Sequence, residues 1–322
     1  MWIYIVTAFL LLVSELAYFR IANHFNIIDR PNKRSSHKRL TLRGGGIIFY
    51  FGVLFYFLLN GFPYPWFIIG LTMITAISFA DDIQPQSRKV RLSIQFLSMF
   101  LMFFQLGLFY MPWYFTLVAL IFCTGVLNAY NFMDGINGMT GGYSMVVIGS
   151  LWYINTFEVS FVDNRLIFIL LIALFIFNIF NFRTKAKCFC GDVGAISIAF
   201  IIVYILGMLI LKTDDVSCLV LLGLYGVDSI LTIVHRIILK ENILKPHRKH
   251  MYQLMANELK IPHVVVSGLY CLVQALIVAG YILTDYRYIY MLVVILILSG
   301  VYVWFMRRYF KLQARHLYRK CH

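Results

Sequence analysis

The chain has 322 residues, 61% of them hydrophobic and 13% charged, and carries a formal charge of +14. A soluble domain is roughly half apolar and about a quarter charged, so this chain lacks the polar surface to cover a globule in water; soluble-enzyme and disordered classes are excluded. No finger, Lys/Arg-rich helix or aromatic sheet motif ties the positive charge to nucleic acid, and no nucleic-acid partner is expected.

A membrane-spanning helix needs about 20 apolar residues. Read from breaker to breaker, the chain offers eleven candidates: Trp2–Phe19, Gly45–Leu59, Pro65–Ala80, Ile94–Tyr110, Trp113–Leu127, Tyr143–Asn155, Leu166–Phe180, Ala195–Leu211, Cys218–Val234, Val264–Leu283 and Tyr288–Met306. The pattern predicts an all-α polytopic membrane protein, one integral-membrane domain over 1–322. The first segment lacks a basic leader and an A-x-A site, so it reads as a retained span. The six cysteines are scattered through or beside apolar runs and form no disulfide framework.

Eleven spans make the connecting loops alternate between two sides. All but three of the 28 Lys and Arg residues (Arg165, Lys212 and Arg287 are the exceptions) fall in one set of loops plus the C-terminal tail. The positive-inside rule places that set in the cytoplasm, the C-terminus with it and the N-terminus outside. A face so rich in cations also attracts anionic headgroups and polyanionic substrates. The outer loops are short, and the motifs lie in the inner ones.

Five segments there carry chemistry. Arg43-Gly44-Gly45-Gly46 follows the basic run Arg34–Arg39 and suggests an anion-binding loop. Asp81-Asp82 ends the third span, where adjacent carboxylates point in different directions: one can reach a metal, the other can accept a proton. Asn128, Asn131 and Asp134 recur every three residues and share a helical face, and a glycine-rich stretch follows at Gly135–Gly142. Carboxamides beside a carboxylate suit a nucleoside or sugar, which needs donors and acceptors together. Asn181 and the cations Arg183, Lys185 and Lys187 precede Gly191-Asp192-Val193-Gly194, where an Asp at a helix start can project toward a metal and the cations toward a diphosphate. His247-Arg248-Lys249-His250 places two imidazoles three apart, and the flanking basic residues favour a phosphate clamp. Asp228 lies toward the inner end of the ninth span, so five aspartates meet one boundary. Mg2+ with a phosphorylated substrate would relieve their repulsion.

With these motifs in order along nearly the whole chain, it resembles the polyprenyl-phosphate N-acetylhexosamine-1-phosphate transferases (glycosyltransferase family 4), which are related to the MurNAc-pentapeptide translocase. The resemblance implies that Asp192 ligates Mg2+ (or Mn2+), and that Asp81 and Asp82 bind metal and deprotonate the lipid phosphate. It implies that Asn128, Asn131 and Asp134 line the nucleotide site, and that Asn181 helps to hold uridine. His247 and His250 match the basic-His loop near the diphosphate, with Arg248 and Lys187 on the substrate, and Arg43 with its glycines resembles an early Pro-x-x-Gly-Gly loop. Leu42 replaces the usual proline there, Asn137 replaces the translocase's second Asp, and the triple-His run is absent. These departures point away from peptidoglycan and toward a surface-glycan initiator.

The implied reaction moves N-acetylhexosamine-1-phosphate, GlcNAc-1-phosphate first among the options, from a UDP-N-acetylhexosamine to polyprenyl (undecaprenyl) phosphate and releases UMP. The implied partners are those two substrates and membrane lipid, with room for a homodimer. The implied place is the bacterial inner membrane, with the site on the cytoplasmic face. The alternative is a transporter or flippase of an anionic or lipid-linked solute. It calls for midplane ionisable residues and repeated halves, and neither is expected from this sequence.

Overall fold

The computed structural model describes residues 2–31, 36, 40–243 and 247–319, with backbone alone from 310. Twelve α-helices make up most of it: α1 (Trp2–His24), α2 (Ile48–Leu59), α3 (Pro65–Ile83), α4 (Arg88–Leu106), α5 (Trp113–Met133), α6 (Met139–Tyr153), α7 (Asn164–Asn181), α8 (Gly191–Thr213), α9 (Gly223–Ile238), α10 (Met251–Asn257), α11 (His263–Leu283) and α12 (Arg287–Arg319). Every predicted span falls on a helix. Among the described residues, nine helical stretches are long and apolar enough to cross a membrane, and Gly45–Leu59 is a shorter apolar helix. Helix α6 is also short and is buried along most of its length against α7 and α11. The protein is an all-α multi-pass membrane protein.

Local chemistry sets the boundaries. Pro65 opens α3 at a position where its missing N–H costs nothing. Helix α4 starts at Arg88, before the predicted Ile94, because the Ser87 side chain caps it by accepting from the Val90 N–H at 3.3 Å. Gly107, in the left-handed region, ends that helix.

Helix α8 is the hub. It is apolar all round, and 78% of its most hydrophobic window is buried, against 22% for α1, α4, α5 and α12. A helix without a polar face belongs inside a bundle, and α8 packs on α2, α3, α4, α5 and α6. Its N-terminus is therefore held from several sides. That fixed point is where the sequence places Gly191-Asp192.

A two-stranded antiparallel hairpin, β1 (Ile28–Asp29) with β2 (Thr41–Leu42), joins α1 to α2. Leu42 also bridges to Cys188, just ahead of α8. Of the first basic loop, residues 32–35 and 37–39 lie outside the described residues, as do 244–246 ahead of His247.

Candidate active site

The glycine triplet and the start of α8 are one knot. The N–H groups of Gly45 and Gly46 donate to the carbonyls of Phe189 (2.9 Å) and Cys190 (3.1 Å), and the Phe189 N–H donates to the Leu42 carbonyl at 2.8 Å. A Cβ on Gly46 would collide with the Cα of Gly194, so here glycine is needed for backbone-on-backbone approach. This corrects the anion-loop expectation: those two amides are already spent within the protein.

Asp81 and Asp82 do diverge. Asp82, only 8% exposed, turns inward and accepts from the Asp192 N–H (3.0 Å) and the Val193 N–H (2.9 Å). It thus caps α8 from another helix. Its Oδ1 also meets Arg43 Nε at 2.6 Å. Both oxygens are engaged, so the fold uses as a structural cap a residue that the sequence put forward as a metal ligand. Asp81 turns the other way, pairing with Arg91 at 2.6 Å and accepting from the Gln86 N–H at 2.7 Å.

Arg43 bridges Asp82 and, through Nη2 at 3.0 Å, Asp192 Oδ1. Burial works to lower its pKa, but the two carboxylates outweigh that and shift it upward. The Tyr18 hydroxyl donates to the Arg43 carbonyl at 2.5 Å and holds the loop from α1. Asp192 Oδ2 has no hydrogen-bonding partner among the described residues.

Asp192 opens onto a cavity of about 310 Å³. Arg43, Asn131, Asp134, Asn137 and Asn181 share its wall, so residues far apart in sequence converge as expected. Asp134 Oδ1 accepts from the Thr140 hydroxyl at 2.8 Å. Burial pushes the Asp134 carboxyl up to about 7; the Thr140 bond works against the rise and the charge of Asp192 adds to it. Asn181 is a clip: its Oδ1 accepts from the Gly138 N–H and its Nδ2 donates to the Cys188 carbonyl, both at 2.8 Å. Asn137 donates to the Arg183 carbonyl at 2.9 Å. The Asn131 amide makes no hydrogen bond among the described residues, which leaves it available to a ligand.

Asp192 also lines a second, much smaller pocket of about 20 Å³ with Ser78, Asp81, Arg91 and Gln95. It therefore stands between two concavities.

Other sequence candidates lie off both walls. Asn128 sits one turn back on α5 and donates to the Thr124 carbonyl at 2.8 Å. Lys187 lies over the Phe180 ring, 5.6 Å from its centre, and Arg248 pairs with Glu258 at 3.4 Å. The His247 and His250 rings lie tilted to one another with centres 5.0 Å apart, beside Phe132. Burial, with His250, Arg236 and Lys249 nearby, lowers His247 to about 3, so it is neutral at physiological pH and differs from the cationic clamp expected.

Sequence reasoning missed Asp29, Ser36, Gln253 and His263, all on the larger cavity. Asp29 had a signal, as the one acid within the basic stretch Arg20–Arg43. It also missed Glu15, a carboxyl buried in the middle of α1 against Cys188, although a single Glu in an apolar span was there to see.

A membrane bundle whose hub helix presents an Asp to a polar cavity at one end defines a candidate site for chemistry at the membrane boundary. Residues 64–210 match the model of glycosyl transferase family 4. The chain is 27% identical over 281 residues to a Bacillus subtilis (strain 168) protein described as a probable undecaprenyl-phosphate N-acetylglucosaminyl 1-phosphate transferase, covering 79% of this chain and 76% of the relative. It is 26% identical to the undecaprenyl-phosphate alpha-N-acetylglucosaminyl 1-phosphate transferase of Yersinia pestis and 25% identical to that of Escherichia coli (strain K12). Each of these two alignments covers 73% of this chain and 71% of the relative.

Proposed function

We propose that the protein transfers GlcNAc-1-phosphate from UDP-GlcNAc to undecaprenyl phosphate, releasing UMP, at the cytoplasmic face of a bacterial inner membrane. The observation that carries this reading is the position of Asp192 between a polar cavity and a small pocket beside α3 and α4. Two substrates meeting at one phosphorus need such a divided site. The relatives' names supply the chemistry, and the four carboxamides and three carboxylates of the larger cavity suit a sugar nucleotide.

The donor set fits Mg2+ or Mn2+. Such a hard cation takes one or two carboxylates and completes its shell with phosphate and water. Asp192, with Oδ2 unengaged, and Asp134 on the same wall would hold it; Asp82 would not. When bound, the ion supplies stabilisation of charge developing on the diphosphate.

The protein's own residues do the positioning, which is most of what phosphoryl transfer requires. Asn131 offers donor and acceptor to the nucleoside or sugar. Arg43, pinned by Asp82 and Tyr18, brings fixed positive charge to the cavity edge and orients Asp192. Arg91, held by Asp81, brings a cation to the edge of the small pocket, where it meets the acceptor phosphate as that approaches Asp192. An acceptor oxygen then attacks the β-phosphorus, the bond to the UMP oxygen breaks, and UMP leaves through the larger cavity.

Purified protein in detergent, given UDP-GlcNAc and undecaprenyl phosphate, should release UMP. EDTA should stop it, and Mg2+ should restore it. UMP release that does not depend on the lipid phosphate, or none at all, overturns the reading.

A further inference from the structure

Asp228 is the aspartate that the cavity leaves unused. It lies within the span Val216–Ile238 and is 1% exposed, and an acid at such depth calls for a function or a partner. Its Oδ2 accepts from the Tyr270 hydroxyl of α11 at 2.8 Å. Its Oδ1 accepts from the Met251 N–H of α10 at 3.1 Å and from the Thr232 hydroxyl at 3.2 Å, and lies 3.4 Å from His250 Nδ1. His250 is as deeply buried as Asp228, and neither of its ring nitrogens has a hydrogen-bond partner among the described residues, so the 3.4 Å approach of Nδ1 to Asp228 is a close polar contact that falls short of a hydrogen bond. One carboxylate thus ties α9 and α11 to the start of α10.

Helix α10 has only seven residues, too few to hold a position by its own hydrogen bonds, so its place is set by what it is tied to. From that anchor it reaches the donor cavity in two ways. The Tyr252 hydroxyl donates to the Phe132 carbonyl at 2.8 Å, and a Cβ on Gly135 would run into that hydroxyl; α10 is thus seated against the end of α5, beside Asp134. Gln253, whose Oε1 accepts from the His250 N–H at 3.3 Å, lines the cavity itself.

We propose that Asp228 is a positioning residue for the transfer reaction: it orients the His250 imidazole through Nδ1 and seats α10, so that Gln253 and Tyr252 complete the donor cavity. This inference rests on the proposed function for its kinetics but not for its geometry. A buried acid that fixes the tautomer and angle of an imidazole is an established device. Displacing a cavity wall by about 1 Å costs on the order of 10²-fold in turnover.

The test uses Asp228→Asn, which keeps the shape and can still accept the Met251 N–H, with Tyr270→Phe as the milder variant should the first fail to fold. In proteoliposomes with 15N-labelled histidine, magic-angle-spinning NMR should show the wild-type His250 proton on Nδ1, assigned by its loss in His250→Gln. That proton should leave Nδ1 in Asp228→Asn, and Tyr270→Phe should shift its signal. The variants should raise KM for UDP-GlcNAc and lower kcat, leave KM for undecaprenyl phosphate unchanged, and be non-additive with His250→Gln. Wild-type donor kinetics in the variants, or an unmoved His250 signal, overturns the proposal. If the wild-type protein itself releases no UMP, the proposed function has failed, and the NMR signal alone decides whether Asp228 orients His250.

Discussion

The two ends of the bundle both carry acids, and they use them differently. At the end where α7 begins and α8 finishes, Asp163 caps α7 and pairs with Arg165, Glu158 pairs with Arg287, and Asp215 accepts from the Ser217 N–H. These three carboxylates are answered by neighbours, and none of them lines either cavity described above. At the opposite end, Asp81 and Asp82 are answered in the same way, but Asp134 and Asp192 face a cavity of about 310 Å³. A carboxylate at a membrane boundary is therefore not a site in itself. The site arises where some acids are consumed by structure while others, each still with an oxygen to spare, line a cavity.

That comparison can be broken first at Asp192. Asp192→Asn should lower UMP release by about 10²-fold or more while thermal unfolding in detergent stays near wild type. Asp82→Ala should behave differently, lowering the unfolding temperature and activity together. It removes the cap of α8, worth about 1 kcal/mol, and leaves Arg43 with one carboxylate instead of two. If both variants lose activity alone, the distinction between cap and open acid fails.

Asp134 gives a pH signature. Its folded pKa of about 7 stands above the ordinary value of 3.8, so the fold favours its protonated form. Its stabilising contribution is complete below about pH 4 and is lost as pH rises through about 7. Asp134→Asn should therefore flatten the fall in unfolding temperature across that window; an unchanged slope assigns the dependence elsewhere. The smallest effect belongs to the far end: Asp163→Ala should cost about 1 kcal/mol as a lost helix cap and leave turnover unchanged. A large loss of turnover there would mean that the two ends are not independent.

The spans were legible because hydrophobic length is a local property, and the order of motifs was legible because each is a short cluster of unusual residues. The roles of Asp82 and the Gly44–Gly46 triplet were not, because both depend on α8 starting beside them, a contact more than 100 residues away in sequence. His247 was misjudged for a related reason: its neighbours in sequence are cations, but burial decides its charge. Helix α10 shows the same limit, since Gln253 joins the cavity on a helix seated by the Tyr252 hydroxyl on the Phe132 carbonyl, far away in sequence.

The central claim is that the divided site at Asp192 moves a phosphosugar. Purified protein with UDP-GlcNAc labelled at the β-phosphate with 32P, and undecaprenyl phosphate, tests it most directly. The account predicts label in the lipid fraction and unlabelled UMP in the aqueous one. Labelled UDP in solution with an unlabelled glycolipid, or label that stays wholly on intact UDP-GlcNAc, would contradict it.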